Sequence, residues 1–233
     1  MNEKILMDRI GYRFKDAELL RTALNHSSYV NECRLAKSES NERLEFLGDA
    51  MLEGFISYEL FRRLPFTEEG DLTKLRAHIV CEKSLFRCAS TFSLGEFLNL
   101  GRGEELNGGR RRSSVVADAM EALIGAVYVD GGTEAATDFV VKAFAAIIDE
   151  ATSGAVGADY KSRLQELLQA DGPVSIHYEV EKEEGPDHDK LFYVNVFDSG
   201  KTIGYGMGKS KKQAEQNAAK NALLGMKGAS CVF

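Results

Sequence analysis

Two acidic stretches stand in apolar surroundings and a third follows a proline, and their spacing is the first chemical signal in the chain. In Asn41-Glu42-Arg43-Leu44-Glu45-Phe46-Leu47-Gly48-Asp49, a helix turning 100° per residue brings Glu42, Glu45 and Asp49 within about 60° of one another. Like charges on one helix face repel by a few tenths of a kcal/mol per pair at a surface. Glu53 continues the same stripe one turn on. Asp118 and Glu121 stand at i, i+3 inside Val115-Val116-Ala117-Asp118-Ala119-Met120-Glu121-Ala122-Leu123-Ile124-Gly125-Ala126-Val127, a helix apolar on nearly every side. Burying an ionised carboxylate costs several kcal/mol unless it is paired or metal-bound. Two accounts fit: an ion pair with Arg110, Arg111 or Arg112 (or protonated acids), or a hard divalent cation held between the two acidic helices. Oxygen-only ligands suit Mg²⁺ or Mn²⁺ better than zinc. In Thr67-Glu68-Glu69-Gly70-Asp71-Leu72-Thr73, Asp71 reads as the N-cap of a helix beginning at Leu72, which leaves Glu69 free to reach a site elsewhere.

Other chemistries lack their residues. His26, His78, His177 and His188 share no metal-ligand spacing, and no GxSxG elbow supports a hydrolytic triad. Gly101-Arg102-Gly103 and Gly108-Gly109 are turn glycines with no phosphate-loop lysine after them. Cys33, Cys81, Cys88 and Cys231 form no CxxC pair, which excludes a zinc site or disulfide frame by pattern. No run of 18 apolar residues marks a membrane span. The opening Met1-Asn2-Glu3-Lys4 lacks an apolar signal core, so a cytoplasmic protein with no membrane partner is expected.

The elements that must position these acids are helices. Residues 1–150 read as helical patterns broken by glycine clusters: Leu19, Leu20 and Leu24 on one, Leu44, Leu47, Met51 and Leu52 on another. Ala117–Val129 reads as a buried helix and Thr137–Ile148 as a further one. Residues 151–158 are small and glycine-containing, and are expected to form a flexible linker. After them the pattern changes. Tyr160–Ala170 is amphipathic, with Leu164, Leu167 and Leu168 inward; three alternating runs follow, around Ile176, Phe192 and Ile203; and Lys211–Met226 carries Ala214, Ala218, Ala222 and Leu223 on one face. The expected fold is therefore an all-α domain (1–150), the linker (151–158), a small α+β domain of order α-β-β-β-α (159–227) and a tail (228–233).

Of 233 residues, 29 are Lys or Arg and 36 Asp or Glu, a net charge of −7 that argues against a polyanionic partner. The distribution reverses this. Residues 1–158 hold 19 bases and 25 acids, whereas the remainder holds 10 and 11. Lys209, Lys211 and Lys212 crowd the start of the last helix, where free N–H groups already favour anions. That spacing predicts phosphate binding.

The motifs resemble bacterial ribonuclease III. Asn41 to Asp49 looks like its signature, Glu68 to Ala77 and Ala117 to Gly125 match its other two catalytic motifs, and the tail domain is similar to the family's double-stranded-RNA-binding domain. There the matches are Ser162-Arg163-Leu164-Gln165-Glu166, Gly185-Pro186-Asp187-His188, and Gly208-Lys209-Ser210-Lys211-Lys212-Gln213-Ala214-Glu215. The resemblance implies metal-holding roles for Glu45, Asp49, Asp118 and Glu121, and accessory catalytic roles for Glu42 and Glu69. It implies that Phe46 packs across a homodimer interface. It implies that Ser162, Gln165, Glu166 and His188 face RNA, with Gln165, Glu166 and His188 at a minor groove, and that Lys209, Lys211 and Lys212 meet phosphates. Glu53 matches no catalytic position and reads as a solvated face. His26-Ser27-Ser28-Tyr29 departs from the family, where a basic residue usually follows the histidine.

The implied activity is Mg²⁺-dependent hydrolysis of double-stranded RNA, with Mn²⁺ substituting, leaving 5′-phosphate and 3′-hydroxyl ends during processing of structured precursors such as rRNA and mRNA. A non-catalytic duplex-RNA-binding scaffold is the alternative of a different class, and a hydrolase of small phosphate esters a third.

Overall fold

The computed structural model describes residues 2–155, 160–170, 172, 174–186 and 190–228. The chain divides into two compact units, Met1–Ala155 and Val156–Phe233. The first is helical: α1 (Asn2–Ile10), α2 (Ala17–Leu24), α3 (Ser27–Glu32), α4 (Glu42–Arg63), α5 (Glu69–Ile79), α6 (Glu82–Thr91), α7 (Arg102–Leu106), α8 (Ser113–Ala143) and α9 (Ala145–Ala155). The second holds α10 (Tyr160–Gln169), β1 (Ile176–Glu184), β2 (Leu191–Asp198), β3 (Lys201–Gly208) and α11 (Lys211–Gly228). Among the described residues no helix is long and apolar enough to cross a membrane.

The core of the first unit is built around α8. Met120, Leu123, Ile124 and Val127 are fully buried and share one cluster with Leu52 and Ile56 of α4, Leu85 and Cys88 of α6, and Leu20 and Leu24 of α2. The α4–α8 crossing is closer than leucine packing allows. Gly48 of α4 and Gly125 of α8 sit at it: a Cβ on Gly48 would lie 1.8 Å from the Glu121 carbonyl oxygen, and one on Gly125 would lie 2.2 Å from that of Leu44. Hydrogen at Cα is what lets the two acidic helices touch through their backbones. Glu59, buried near the far end of α4, is held by Arg62 at 3.0 Å and by Arg63, which reaches Asp149 of α9 at 2.5 Å.

Five local expectations are corrected. Helix α8 runs through residues 113–143 with a break at Gly132, where φ is 78°, a left-handed conformation that glycine adopts without strain. The expected Thr137–Ile148 helix is split by the bend at the buried Phe144. Asp71 is not an N-cap: α5 starts two residues before it, at Glu69, and Asp71 pairs with Lys74 at 2.9 Å in the first turn. Residues 151–155, expected in the linker, complete α9. Alanine favours helix, and Thr152 is buried with its hydroxyl on the Ile148 carbonyl at 2.8 Å. Leu167 is 48% exposed, because the inward stripe of α10 is Tyr160 and Leu164 at i, i+4, with Leu168 only half-buried.

In the second unit the strands pair antiparallel in the order β1-β2-β3, with Tyr178 opposite Val196 and Val194 opposite Gly206. Gly204, Gly206 and Gly208 of β3 face α11: a Cβ on Gly206 would lie 2.1 Å from the Ala218 nitrogen. Small residues on both sides let Ala214, Ala218 and Ala222 lie flat on the sheet, all buried. Residues 156–158 of the expected linker and 229–233 of the tail lie outside the described residues.

Candidate active site

Glu45, Asp118 and Glu121 converge. One carboxylate oxygen from each lies within 4.8 Å of the others, and all three side chains are half-buried. Oxygens on an octahedral Mg²⁺ are about 3.0 Å apart when adjacent and about 4.2 Å when opposite, so this set has the scale of a site for a small hard cation. The charges are strained by their own company. Burial, then Asp49, Glu45 and Asp118, push the Glu121 carboxyl up to about 8. Burial, then Asp118, Glu42 and Asp49, raise Glu45. Burial and Glu82 raise Asp118, against the opposing influence of His26.

Two of the three arginines that offered an ionic explanation are engaged elsewhere. Arg110 pairs with Glu105 at 2.7 Å and donates to the Leu98 carbonyl at 2.7 Å, while Arg112 pairs with Glu104 at 2.8 Å. Arg111 is exposed. A cluster of acids with no lysine or arginine ion pair among the described residues, on helices held in backbone contact, has the electrostatics of a cation site.

The other expected residues surround this group at different distances. Asp49 is exposed, one turn beyond Glu45, and its charge acts on both Glu45 and Glu121. Glu42 is exposed in the first turn of α4, accepts from Ser40 Oγ at 3.1 Å, and acts on Glu45. Glu69 is exposed at the start of α5, accepts from Thr73 Oγ1 at 2.8 Å, and is not among the groups that raise the three clustered carboxyls. Glu53 is exposed, as expected of a solvated face. Phe46, on the opposite side of Glu45 from the core, is 80% exposed.

Two neighbours were not assigned to the site by sequence. Glu82 opens α6 and accepts from Ser113 Oγ, at the start of α8. His26 caps α3 beside the head of α4. Neither shares a motif spacing with the acids, since each reaches them only through tertiary folding.

In the second unit Ser162, Gln165 and Glu166 are exposed on α10, and Lys209, Lys211 and Lys212 are exposed at the start of α11. Ser210 and Gln213 shape that start: Ser210 Oγ accepts from the Gln213 N–H at 3.2 Å, and Gln213 Oε1 accepts from the Lys209 N–H at 2.9 Å. This capping arrangement fixes the backbone that carries the lysines. Lys211 also reaches Glu183 of β1 at 3.1 Å, so its charge is partly offset, whereas Lys212 has no ion pair among the described residues. His188 lies outside the described residues.

Comparison with known proteins agrees with this division. Residues 16–148 match the family described as Ribonuclease-III-like, and residues 160–226 match the double-stranded RNA binding motif. The chain is 50% identical over 220 residues to Ribonuclease 3 of Pelotomaculum thermopropionicum, covering 94% of this chain and 91% of that one. It is 51% identical over 218 residues to Ribonuclease 3 of Caldanaerobacter subterraneus subsp. tengcongensis, covering 94% and 95%. The crystal structure of the nuclease domain of ribonuclease III from Campylobacter jejuni at 2.2 Å aligns with a TM-score of 0.56 and 41% identity, covering 60% of this chain and 92% of that one. A helical unit with three converging carboxylates, followed by a lysine-tipped RNA-binding unit and matched over nearly its whole length, places this chain in the ribonuclease III family as a double-strand-specific endoribonuclease.

Proposed function

We propose that the chain is a divalent-metal-dependent nuclease whose metal is held by Glu45, Asp118 and Glu121, with Asp49 completing the set from the rim. The convergence of three half-buried carboxylate oxygens within 4.8 Å supports this most strongly. A bound Mg²⁺, with Mn²⁺ able to substitute, supplies positive charge against the scissile phosphate and acidifies water at the site. The protein's own residues do the rest. The Gly48–Gly125 crossing sets the spacing of the carboxylates, and their mutual repulsion disfavours leaving the site without a cation. Glu42 and Glu69 serve as accessory groups at the margin. Attack by water on phosphorus, with the P–O3′ bond breaking and a proton passing from the water to the departing 3′-oxygen, leaves 5′-phosphate and 3′-hydroxyl ends, and no protein nucleophile is required.

An acidic catalytic unit recruits a polyanion through its second unit. Lys209, Lys211 and Lys212 meet backbone phosphates, while Gln165, Glu166 and His188 face the minor groove, where an A-form duplex is read by shape, and Ser162 faces RNA beside them. Cutting both strands takes two sites related by two-fold symmetry. The exposed Phe46 supports a homodimer, as does the description of a region involved in dimer formation in the Campylobacter jejuni nuclease domain. The roles that fit are processing of structured rRNA and mRNA precursors in the cytoplasm.

The decisive experiment incubates a long RNA duplex with Mg²⁺ and sizes the fragments and their ends. Wild type should cut and Glu121→Gln should not, while both bind the duplex in Ca²⁺. An intact duplex with wild-type protein would leave the scaffold reading standing.

A further inference from the structure

A small polar cavity lies at the head of α4, outside the group formed by Glu45, Asp118 and Glu121. It measures about 210 Å³ and is lined by Ser27, Val30 and Asn31 of α3 and by Lys37, Ser40 and Glu42. Pockets that enclose a whole small molecule run from about 300 to 1,000 Å³ and are mostly apolar. This one is smaller, and five of its six lining residues are polar or charged. It therefore suits one polar group of a larger ligand. Glu42 ties it to the acid cluster, because its charge acts on Glu45 one turn further along α4.

The turn that carries Lys37 is held rigidly. Six polar residues are buried among the described residues, and three of them, Asn25, Ser40 and Asn41, stand here. Buried polar groups are unfavourable unless bonded, and these are spent on one short segment. Asn25 donates its side-chain amide to the Glu39 carbonyl at 3.1 Å and accepts from Asn99 at 2.8 Å. Ser40 Oγ shares its hydrogen between the Lys37 carbonyl at 2.9 Å and the Glu42 carboxylate at 3.1 Å. The Asn41 N–H donates to the Asn25 carbonyl at 2.8 Å. Together these bonds fix the turn Lys37–Glu39 against the head of α4.

The side chains that line the cavity from α3 and this turn are left unused. Ser27, Asn31 and Lys37 make no side-chain hydrogen bond or ion pair among the described residues. A hydroxyl, an amide and an ammonium thus border one cavity as free donors, and Lys37 is the sole cation lining it. We propose that this cavity is a subsite for a backbone phosphate of the RNA, close to the bond that is cut, with Lys37 supplying charge and Ser27 and Asn31 hydrogen bonds. Lysine, serine and asparagine are all common donors to phosphate oxygens, and such contacts fix register on a duplex without reading its sequence. Glu42 is compatible with this because its carboxylate is engaged by Ser40. The inference rests on the reading of the acid cluster as the reaction centre.

The test uses full-length protein and a short RNA duplex that wild type cuts at one position, with binding measured in Ca²⁺ over a range of salt. Lys37→Ala should bind about 5-fold more weakly and flatten the plot of log affinity against log salt by about one unit. Lys37→Arg keeps the charge and should restore both. Methylphosphonates, which lack the phosphate charge, are then placed singly along each strand. At one position within a few nucleotides of the cut, the replacement should weaken wild-type binding and leave Lys37→Ala unaffected. If Lys37→Ala fails to fold, Lys37→Gln is uncharged, similar in length, and carries the comparison. Affinity and salt slope equal to wild type overturn the inference. So does a methylphosphonate effect that the variant shares with wild type at every position near the cut. Wild type that binds in Ca²⁺ yet leaves the duplex intact in Mg²⁺ overturns the reaction-centre reading and the placement beside a cut; the salt series still decides whether Lys37 meets a phosphate.

Discussion

A Cβ at Gly48 would stand 1.8 Å from the carbonyl oxygen of Glu121, where ordinary contact begins at 3.4 Å. The clustered carboxylates therefore depend on two helices meeting backbone to backbone. Gly48→Ala must push α4 from α8, costing about 3 kcal/mol or more and separating Glu45 from Glu121. Urea unfolding should show the loss, and cleavage should fall with it. Gly70→Ala is the control: nothing lies within 4 Å of its Cβ position, so it should be neutral or stabilise α5 by about 0.5 kcal/mol.

The raised Glu121 carboxyl makes stability fall with pH in metal-free protein. Below about pH 4.5 the group is protonated in folded and unfolded chains alike, and it contributes nothing. Between there and about pH 8 the unfolded chain ionises while the folded one retains its proton, so the folded state loses ground. Glu121→Gln removes this dependence. In EDTA the variant should melt a few degrees above wild type at pH 8, with the gap closing toward pH 4.5; a gap independent of pH would contradict the burial argument.

Salt dependence of duplex-RNA binding measures the lysine tip of α11. Lys211→Ala with Lys212→Ala should weaken binding and flatten the plot of log affinity against log salt by about one unit for each phosphate left without its lysine. Lys212 should account for more of the change, since Lys211 already faces Glu183 at 3.1 Å. A slope identical to wild type would remove both lysines from the interface.

Phe46 exposes 80% of its surface on a helix whose Leu44, Leu52, Phe55 and Ile56 are buried. Its replacement by alanine should leave the circular dichroism of the chain unchanged and raise the dimer dissociation constant about tenfold or more, roughly 1.4 kcal/mol. Sedimentation at several concentrations decides this. Identical profiles for both proteins would show that Phe46 takes no part in association.

Much of the architecture was legible because local patterns agree with the fold. Period-two runs became β1, β2 and β3, and the alanine stripe of α11 became its buried face. Boundaries failed where a local cue was outweighed. Residues 151–155 carry loop-like composition, yet they complete α9 because Thr152 is buried and bonded there. Asp71 has the chemistry of a cap, but the chain entered α5 two residues earlier.

The identity of the acids, their place on largely apolar helices and the crowding of Lys209, Lys211 and Lys212 at the start of one helix were all determined by sequence, since side-chain type and helical period need only local geometry. Which acids meet was decided by tertiary structure. Glu45 comes from α4 and Asp118 and Glu121 from α8; only the Gly48–Gly125 crossing brings those carboxylates within 4.8 Å, and it leaves Glu69 outside the group. No periodicity of the chain records a contact made by packing one helix on another, because that contact depends on where both helices lie.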